Sequence, residues 1–523
     1  MAEFISAIAA ARLISSGDTV GISGFVGCGH PEAITKAIEE IYLAEGKPQH
    51  LTLVYAAGQG DGREKGMNHF GHPGLLKRVI GGHWNLAPKL GHLAVEEKIE
   101  AYNLPQGVIV HLFRAIAGHK PGVITHVGLK TFVDPRLQGG KLNALTQEDL
   151  VEVIQLGGKE WLFYKAFPVN IAIIRGTTAD ERGNISMEKE AMVVEALSLA
   201  QAARNSGGKV IAQVERVTKA GTIDPKLVKI PGVLVDAIVV APAHLHEQTF
   251  AGDYNPALSG EIKLPDTSLP TLPLDERKIV ARRAAYELIP HTNINLGIGS
   301  PEGVALVAAE EGLGDYLNLS VESGPTGGVP LGGLAFGAAI NPEAIIDQAY
   351  QFDFYDGGGL DVAFLGMAQL DRRGNVNVSK FGPRIAGAGG FINISQNAKK
   401  LVFCGSFTTN GLEVMISDGK LVIKNEGKVA KLVEQVDQIT YSGELGAANG
   451  QPVIYVTERA VFVLTREGIQ LTEVAPGIDL KTQVLDLLPF PLPVAPNVKT
   501  MDERIFRPEP MGIRDRILAK EAD

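Results

Sequence analysis

Residues Tyr316 to Pro330 read Y-L-N-L-S-V-E-S-G-P-T-G-G-V-P, and the fold follows from how this stretch is parsed. Leu317, Leu319 and Val321 alternate with Asn318 and Ser320, the period of a half-buried strand. The strand runs into Glu322, after which Gly324, Pro325, Gly327 and Gly328 forbid a regular continuation. A lone carboxylate therefore stands at the carboxyl end of an apolar strand, beside a loop with little side-chain bulk. In α/β proteins ligands bind at such strand ends, and bare glycine backbone lets a bulky ligand approach. The plainer alternative is a turn acid facing water, since acids are rarely buried unpaired.

Working outward, the same grammar appears twice. The loop G-C-G-H-P-E (Gly27 to Glu32) lies between a strand from Thr19 to Ser23 and a helix resuming at Ala33. G-I-G-S-P-E (Gly297 to Glu302) likewise follows the strand Ile294 to Leu296. Farther on, A-D-E-R-G-N-I-S-M-E (Ala179 to Glu188) is echoed by L-D-R-R-G-N-V-N-V-S (Leu370 to Ser379). Two matches in the same order indicate a duplication. The longer spacing in the first half places an insertion at about 62–160. Apolar runs Leu51 to Ala57, Val210 to Val214 and Ala237 to Val240, alternating with helical segments such as Ala191 to Arg204, predict open, mostly parallel α/β sheets. The fold class is thus α/β, with two duplicated lobes, an inserted subdomain in the first, and a cleft between them. The expected division is 1–253 for the first lobe and 275–490 for the second, which carries Glu322. Between them 254–274, with Pro256, Pro265, Pro270 and Pro273, is a linker. It ends at Asp275, an N-cap for a helix from Glu276. Residues 491–523 are expected to form a surface-hugging or partly mobile arm, and Phe4 to Ile14 an amphipathic helix.

Composition narrows the function. A chain of 523 residues exceeds one core, and 45% hydrophobic residues with 21% charged ones describe a globular protein. A net charge of -10 and a pI near 5.7 argue against a nucleic-acid partner. The short apolar start, interrupted by Arg12, predicts neither signal peptide nor membrane span. The cysteines, Cys28 and Cys404, imply no disulfide framework and fit a cytoplasmic, reducing compartment. The loop around Cys28 has G-x-x-G-x-G spacing, which is not the dinucleotide fingerprint. Cys28 itself reads as an inert filler between glycines. His69, His72, His83 and His92 read as ordinary loop histidines, because no acid or cysteine completes a ligand pattern; no metal is expected.

The chemistry open to Glu322 is limited. Glycoside hydrolysis needs two carboxylates, and the stretch supplies one. A serine hydrolase would show G-x-S-x-G, absent here. A carboxylate nucleophile remains. Attack on an acyl carbonyl then needs an oxyanion hole of backbone N–H groups and a side-chain amide. Gly387 to Phe391 (G-A-G-G-F) and Gln106, in N-L-P-Q-G (Asn103 to Gly107), are candidates for the two parts. A tight turn and a helix-start cap are their respective alternatives.

These motifs, with V-E-S-G-P-T-G-G and the run Y-V-T-E-R-A-V-F…L-T-E-V-A-P-G-I-D-L (Tyr455 to Leu480), resemble family I CoA-transferases of the fused acetate/propionate type, related to the 3-oxoacid CoA-transferases. The resemblance runs from about Phe4 to Pro491. It implies that Glu322 is the nucleophile, that Gln106 is the side-chain oxyanion donor, and that a backbone N–H near Gly390 completes the hole. It also implies a ping-pong transfer of coenzyme A from a short-chain acyl-CoA to a carboxylic acid through a glutamyl-CoA thioester, with no cofactor beyond CoA as substrate. An acyl-CoA hydrolase on the same scaffold is the alternative. Gly389, Phe391, Asn393, Gln396 and Lys399 are the candidate substrate or CoA contacts, and a homodimer or homotetramer is the implied assembly. One departure is Ser323, where many members carry Asn after the catalytic acid, which bears on substrate tuning.

Overall fold

The computed structural model describes residues 2–265 and 271–520. Pro270 and the rest of 266–270, within the expected linker, lie outside the described residues, as do 521–523 of the C-terminal arm. The chain divides into two compact units that are interleaved in sequence. The first comprises 1–263, 321–353 and 379–393; the second comprises 264–320, 354–378 and 394–523. Both are α/β units. A lobe running unbroken from 275 to 490 differs from this division, because the segments around Glu322 and around Gly387 to Phe391 pack with the first unit.

In the first unit the sheet is wholly parallel. Its strands stand in the order Glu3–Phe4, Ala237–Val240, Lys209–Val214, Ile171–Arg175, Thr19–Ile22, Leu51–Tyr55, Leu76–Gly81 and Glu100–Asn103. In the second unit Asn318–Ser320, Asn293–Leu296, Val362–Gly366, Lys400–Cys404 and Val453–Val456 are also parallel and neighbour one another in that order. The two orders correspond strand for strand from Leu51–Tyr55 to Ala237–Val240, which is the duplication made visible. Buried on both faces, such strands read as near-continuous apolar runs, and Ile171–Arg175 is buried at every position. Ile22, Leu53, Val79, Ile173 and Ile211 share one core; Ile294, Leu319, Phe364, Val402 and Val456 share the other. Each such side chain contributes about 1.5–3 kcal/mol on leaving water.

The repeated loops are alike to the hydrogen bond. Asp180 Oδ1 accepts from the N–H groups of Arg182 and Asn184, and Asn184 Nδ2 donates to Asp180 Oδ2 at 3.0 Å. Asp371 repeats this with Arg373 and Asn375, again at 3.0 Å. The glycine between, Gly183 at φ +88° and Gly374 at φ +81°, occupies the left-handed region that L side chains avoid. The asparagine carbonyls then accept from Gly232 and Gly443 respectively. What lengthens the first half is the pair of strands Leu76–Gly81 and Glu100–Asn103, their helices, and an antiparallel sheet of Gly122–Thr125, Lys159–Lys165 and Val151–Leu156.

Three local readings change. The N-terminal segment is the strand Glu3–Phe4 followed by a short helix, Ala7–Ala11, because pairing with Ala237 and Ile238 satisfies more backbone than another helical turn. The helix expected from Ala191 spans Ala196–Asn205, since Val194 adopts φ +51°, incompatible with a helix. The C-terminal arm is built into the second unit's core: Val494–Thr500 pairs with Gly468–Val474, and Ile505, Phe506, Ile513 and Ile517 are buried there. Asp275 does cap Glu276–Ala285, accepting from Lys278 N–H at 3.0 Å. Among the described residues no helix is long and apolar enough to cross a membrane.

Candidate active site

The carboxyl ends of the first unit's parallel strands carry the loops of interest. After Thr19–Ile22 comes the Phe25–Cys28 turn, in which Phe25 and Cys28 exchange backbone hydrogen bonds at 2.9 Å. Val26 N–H donates to Gly58 O, beyond Leu51–Tyr55, at 2.7 Å. His83 follows Leu76–Gly81, and Gln106 follows Glu100–Asn103. Four successive strands thus deliver their loops to one edge, the end of an α/β sheet where ligands bind.

The segment Ala386 to Phe391 is threaded into these loops. Gly387 N–H donates to Ser379 O, Ala388 N–H to the Asn103 side chain and Gly389 N–H to Gly82 O, at 2.8, 2.9 and 2.7 Å. Among the described residues the next donor, the Gly390 N–H, has no hydrogen-bond acceptor. Gly387 must be glycine: it sits at φ +83°, and a Cβ there would lie 2.7 Å from His83 Cα. Asn103 organises the junction. Its amide donates to Gly81 O and Gly82 O while its carbonyl takes the Ala388 N–H. Although it opens the N-L-P-Q-G motif, its role was not read from sequence, because it depends on groups 285 residues away.

Gln106 begins the helix Gln106–Ala117, which has no side-chain cap. Its backbone N–H donates to Gly389 O at 3.0 Å. The residue is 2% exposed, and among the described residues its Nε2 is buried with no hydrogen-bond partner. The capping alternative therefore does not hold. Leaving a buried amide donor unpaired costs about 1–3 kcal/mol, so a donor kept in that state needs a reason. A Cβ on Gly389 would stand 3.6 Å from Gln106 Oε1, so amide and glycine run are immediate neighbours.

Glu322 lies in a turn just beyond the strand Asn318–Ser320 and is 7% exposed, not the water-facing acid of the plainer reading. Val321 N–H to Pro325 O (2.9 Å) and Gly324 N–H to Val321 O (3.0 Å) close the turn. Gly324, at φ +125°, admits no side chain, since a Cβ would meet Ile346 O at 2.1 Å. Ser323 is fully buried, and its hydroxyl donates to Gly337 O at 2.7 Å. This departure from the family pattern is thus engaged in anchoring the turn. Gly337 in turn packs on the Phe25 ring, which joins the Glu322 turn to the loop layer.

Of the other candidates, Phe391 is 8% exposed and opens the helix Phe391–Asn397. Asn393 is buried, its Oδ1 accepting from Gly107 N–H at 3.2 Å, and so supports the helix carrying Gln106. Gln396 and Lys399 fall in the second unit. Gln396 lines a small recess with Tyr441, Ser442 and Gln451, and exposed Lys399 pairs with Asp361 at 2.8 Å. Among the described residues no group of His, Cys, Asp or Glu is placed to hold a metal ion. His69 instead bridges Glu32 and Glu39 at 2.9 and 2.5 Å, with His72 on the other Glu39 oxygen at 2.6 Å. Burial pushes the Cys28 thiol up to about 12, leaving it without thiolate at neutral pH.

An acid that sequence reasoning missed lies behind the Phe25 loop. Glu195 is fully buried. Its oxygens approach its own N–H and that of Gly24 without reaching hydrogen-bond geometry. Burial lifts its pKa to about 8, and nearby Asp347 adds to the rise. The folded state therefore holds a proton that the unfolded chain gives up near the ordinary carboxyl pKa. Stability from this group is complete below that value and is lost as pH rises towards about 8. Glu195→Gln is expected to melt with the wild type near pH 4 but higher at pH 8, by on the order of several °C. Scanning calorimetry at both pH values checks this; equal melting points at pH 8 contradict it.

A family model described as "Coenzyme A transferase" matches residues 4–241. The chain is 48% identical to "Caffeate CoA-transferase" of Acetobacterium woodii, over 99% of this chain and 100% of that protein. It is 44% identical to "Acetate CoA-transferase YdiF" of Escherichia coli (strain K12), over 97% and 96%. The crystal structure of the acyl-CoA transferase YdiF from E. coli O157:H7, a thioester complex with CoA, superposes with a TM-score of 0.93 at 42% identity, over 98% of this chain and 97% of that one.

Proposed function

The chain belongs to the coenzyme A transferase family, and from that premise we propose that it moves CoA from a short-chain acyl-CoA to a carboxylate acceptor through a thioester on Glu322. The observation that carries the proposal is two N–H donors without an acceptor among the described residues, Gln106 Nε2 and Gly390 N, on residues that meet at Gly389. Donors preorganised in that way cost no reorganisation when negative charge develops on a carbonyl oxygen.

In the first half-reaction a Glu322 carboxylate oxygen attacks the thioester carbonyl. The carbonyl pair moves onto oxygen, where the two donors receive it. Collapse expels CoA thiolate and leaves a mixed anhydride. The thiolate then attacks the glutamyl carbonyl, releasing the first acid and forming the glutamyl-CoA thioester. A second carboxylate reverses these steps and departs with CoA. Atoms balance with CoA as a substrate and no further cofactor. Seclusion of Glu322 favours the scheme, because bulk water at an anhydride would divert it to hydrolysis. The thioester complex of the E. coli protein supports the intermediate by likeness. Gly389 and Phe391 are proposed to border the acyl group. Gln396 and Lys399 are the weaker CoA candidates, since a phosphate at Lys399 must displace Asp361.

Transfer and hydrolysis part company in one assay. With acetyl-CoA alone, acetate release is expected to stop at one equivalent per active site, with the CoA held on Glu322 and no free CoA accumulating, and added propionate should give propionyl-CoA over many turnovers. Continuous acceptor-independent CoA release would instead establish the hydrolase.

A further inference from the structure

His83, read from sequence as an ordinary loop residue, sits inside the proposed site. Its backbone is clamped to the glycine run: Gly82 O accepts from Gly389 N–H at 2.7 Å, and the Trp84 and Asn85 N–H groups both donate to Ala386 O, at 2.8 and 3.0 Å. Its ring lies between two glycines. A Cβ on Gly58 would stand 2.4 Å from His83 Nδ1, and one on Gly389 would stand 3.9 Å from His83 Cδ2 and 3.6 Å from Gln106 Oε1. The imidazole therefore faces the same Gly389 that borders the Gln106 amide.

Its two nitrogens differ. Nδ1 is buried against Gly58 with no hydrogen-bond partner among the described residues, whereas the residue as a whole is half-buried, so Nε2 is the accessible end. No charged neighbour perturbs the ring; burial alone drives its pKa down to about 4, so it is neutral at neutral pH and carries one ring hydrogen. Orphaned buried N–H groups are rarer than under-satisfied acceptors, which puts that hydrogen on Nε2.

Resting on the CoA-transfer reading above, we propose that His83 is a further catalytic residue, whose Nε2–H donates a hydrogen bond to the CoA sulfur as the C–S bond breaks and re-forms. The oxyanion has two donors already, in Gln106 and Gly390. The sulfur, which leaves with the C–S bonding pair, otherwise has none in this set. A neutral imidazole N–H is far too weak an acid to surrender its proton to a thiolate. It therefore stabilises CoA thiolate without quenching it, and the same thiolate can attack the glutamyl carbonyl in the next step. No proton changes hands, and the ring ends each half-reaction as it began.

Two measurements test this on the full chain. In rapid-quench mass spectrometry with acetyl-CoA, His83→Phe, which keeps the ring and removes the donor, is expected to form the Glu322 thioester about 10- to 100-fold more slowly. His83→Gln, whose amide reaches the place of Nε2, should recover most of the rate. The second measurement uses Glu322→Ala protein, which binds CoA and cannot form the adduct. The ultraviolet thiolate band of bound CoA should titrate about one pH unit lower with His83 than with His83→Phe in the same background, a tenfold difference in ionisation. Identical titrations overturn the proposal, as does a wild-type thioester rate in His83→Phe. Because the titration runs without Glu322, it reports on His83 even if the nucleophile were placed elsewhere. Absence of any Glu322 adduct in the wild type would fail the transfer reading instead.

Discussion

Glu322→Ala is expected to lose CoA transfer by on the order of 10⁴-fold or more, the scale on which removing a covalent nucleophile acts. Binding of CoA should persist, because the carboxylate contributes one group to a large ligand. The melting temperature should change little: the turn around Glu322 is closed by Val321, Gly324 and Pro325 backbone and by the Ser323 hydroxyl on Gly337 O, none of which the substitution touches. Glu322→Asp sharpens the test. It keeps the charge and withdraws it by about one bond, and a misplacement of about 1 Å can cost roughly 10²-fold. An Asp variant that matched the wild type would mean that charge, not attack, is what the position supplies. Steady-state acetyl-CoA to propionate transfer measures both.

Gln106→Ala carries the second large effect. Loss of one oxyanion donor costs about 10²–10³-fold in kcat, roughly 2.7–4 kcal/mol. The defect should fall on kcat with KM nearly unmoved, since the oxyanion exists only in the transition state. Stability should barely respond, for a physical reason visible in the free protein. Gln106 Nε2 has no partner to lose among the described residues, and relieving a buried unpaired donor offsets part of the packing lost with the side chain. The bond from the backbone N–H to Gly389 O is independent of the side chain. A kcat near the wild-type value, or a defect confined to KM, would remove Gln106 from the oxyanion role.

How far the sequence could be read depended on whether a feature is local. The paired loops at Gly27 to Glu32 and Gly297 to Glu302 are local, and so is the Asp–Gly–Asn turn at Asp180 and Asp371; their repetition in the sequence discloses two α/β units. Glu322 and Gln106 stood out as candidates because each combines a chemically versatile side chain with a strand or helix terminus. The interleaving was not legible. Whether 321–353 and 379–393 pack with the first or the second unit is settled by contacts hundreds of residues apart, such as Trp84 and Asn85 on Ala386 O, which leave no periodic trace. For the same reason the bond that Asn393 accepts from Gly107 N–H, the junction at Asn103 and the place of His83 beside Gly389 were not foreseen. Glu195 was invisible in a different way. It fell within the helix expected from Ala191, and only the left-handed turn at Val194 and its complete burial show it as a sequestered acid.

Covalent chemistry at the Glu322 side chain is the centre of the proposed mechanism. Incubation of the protein with acetyl-CoA, followed by proteolysis and mass spectrometry, should show a CoA-sized mass increase on the peptide containing Glu322, discharged by acetate and cleaved by hydroxylamine. Sustained transfer with that peptide unmodified at every time point would contradict it.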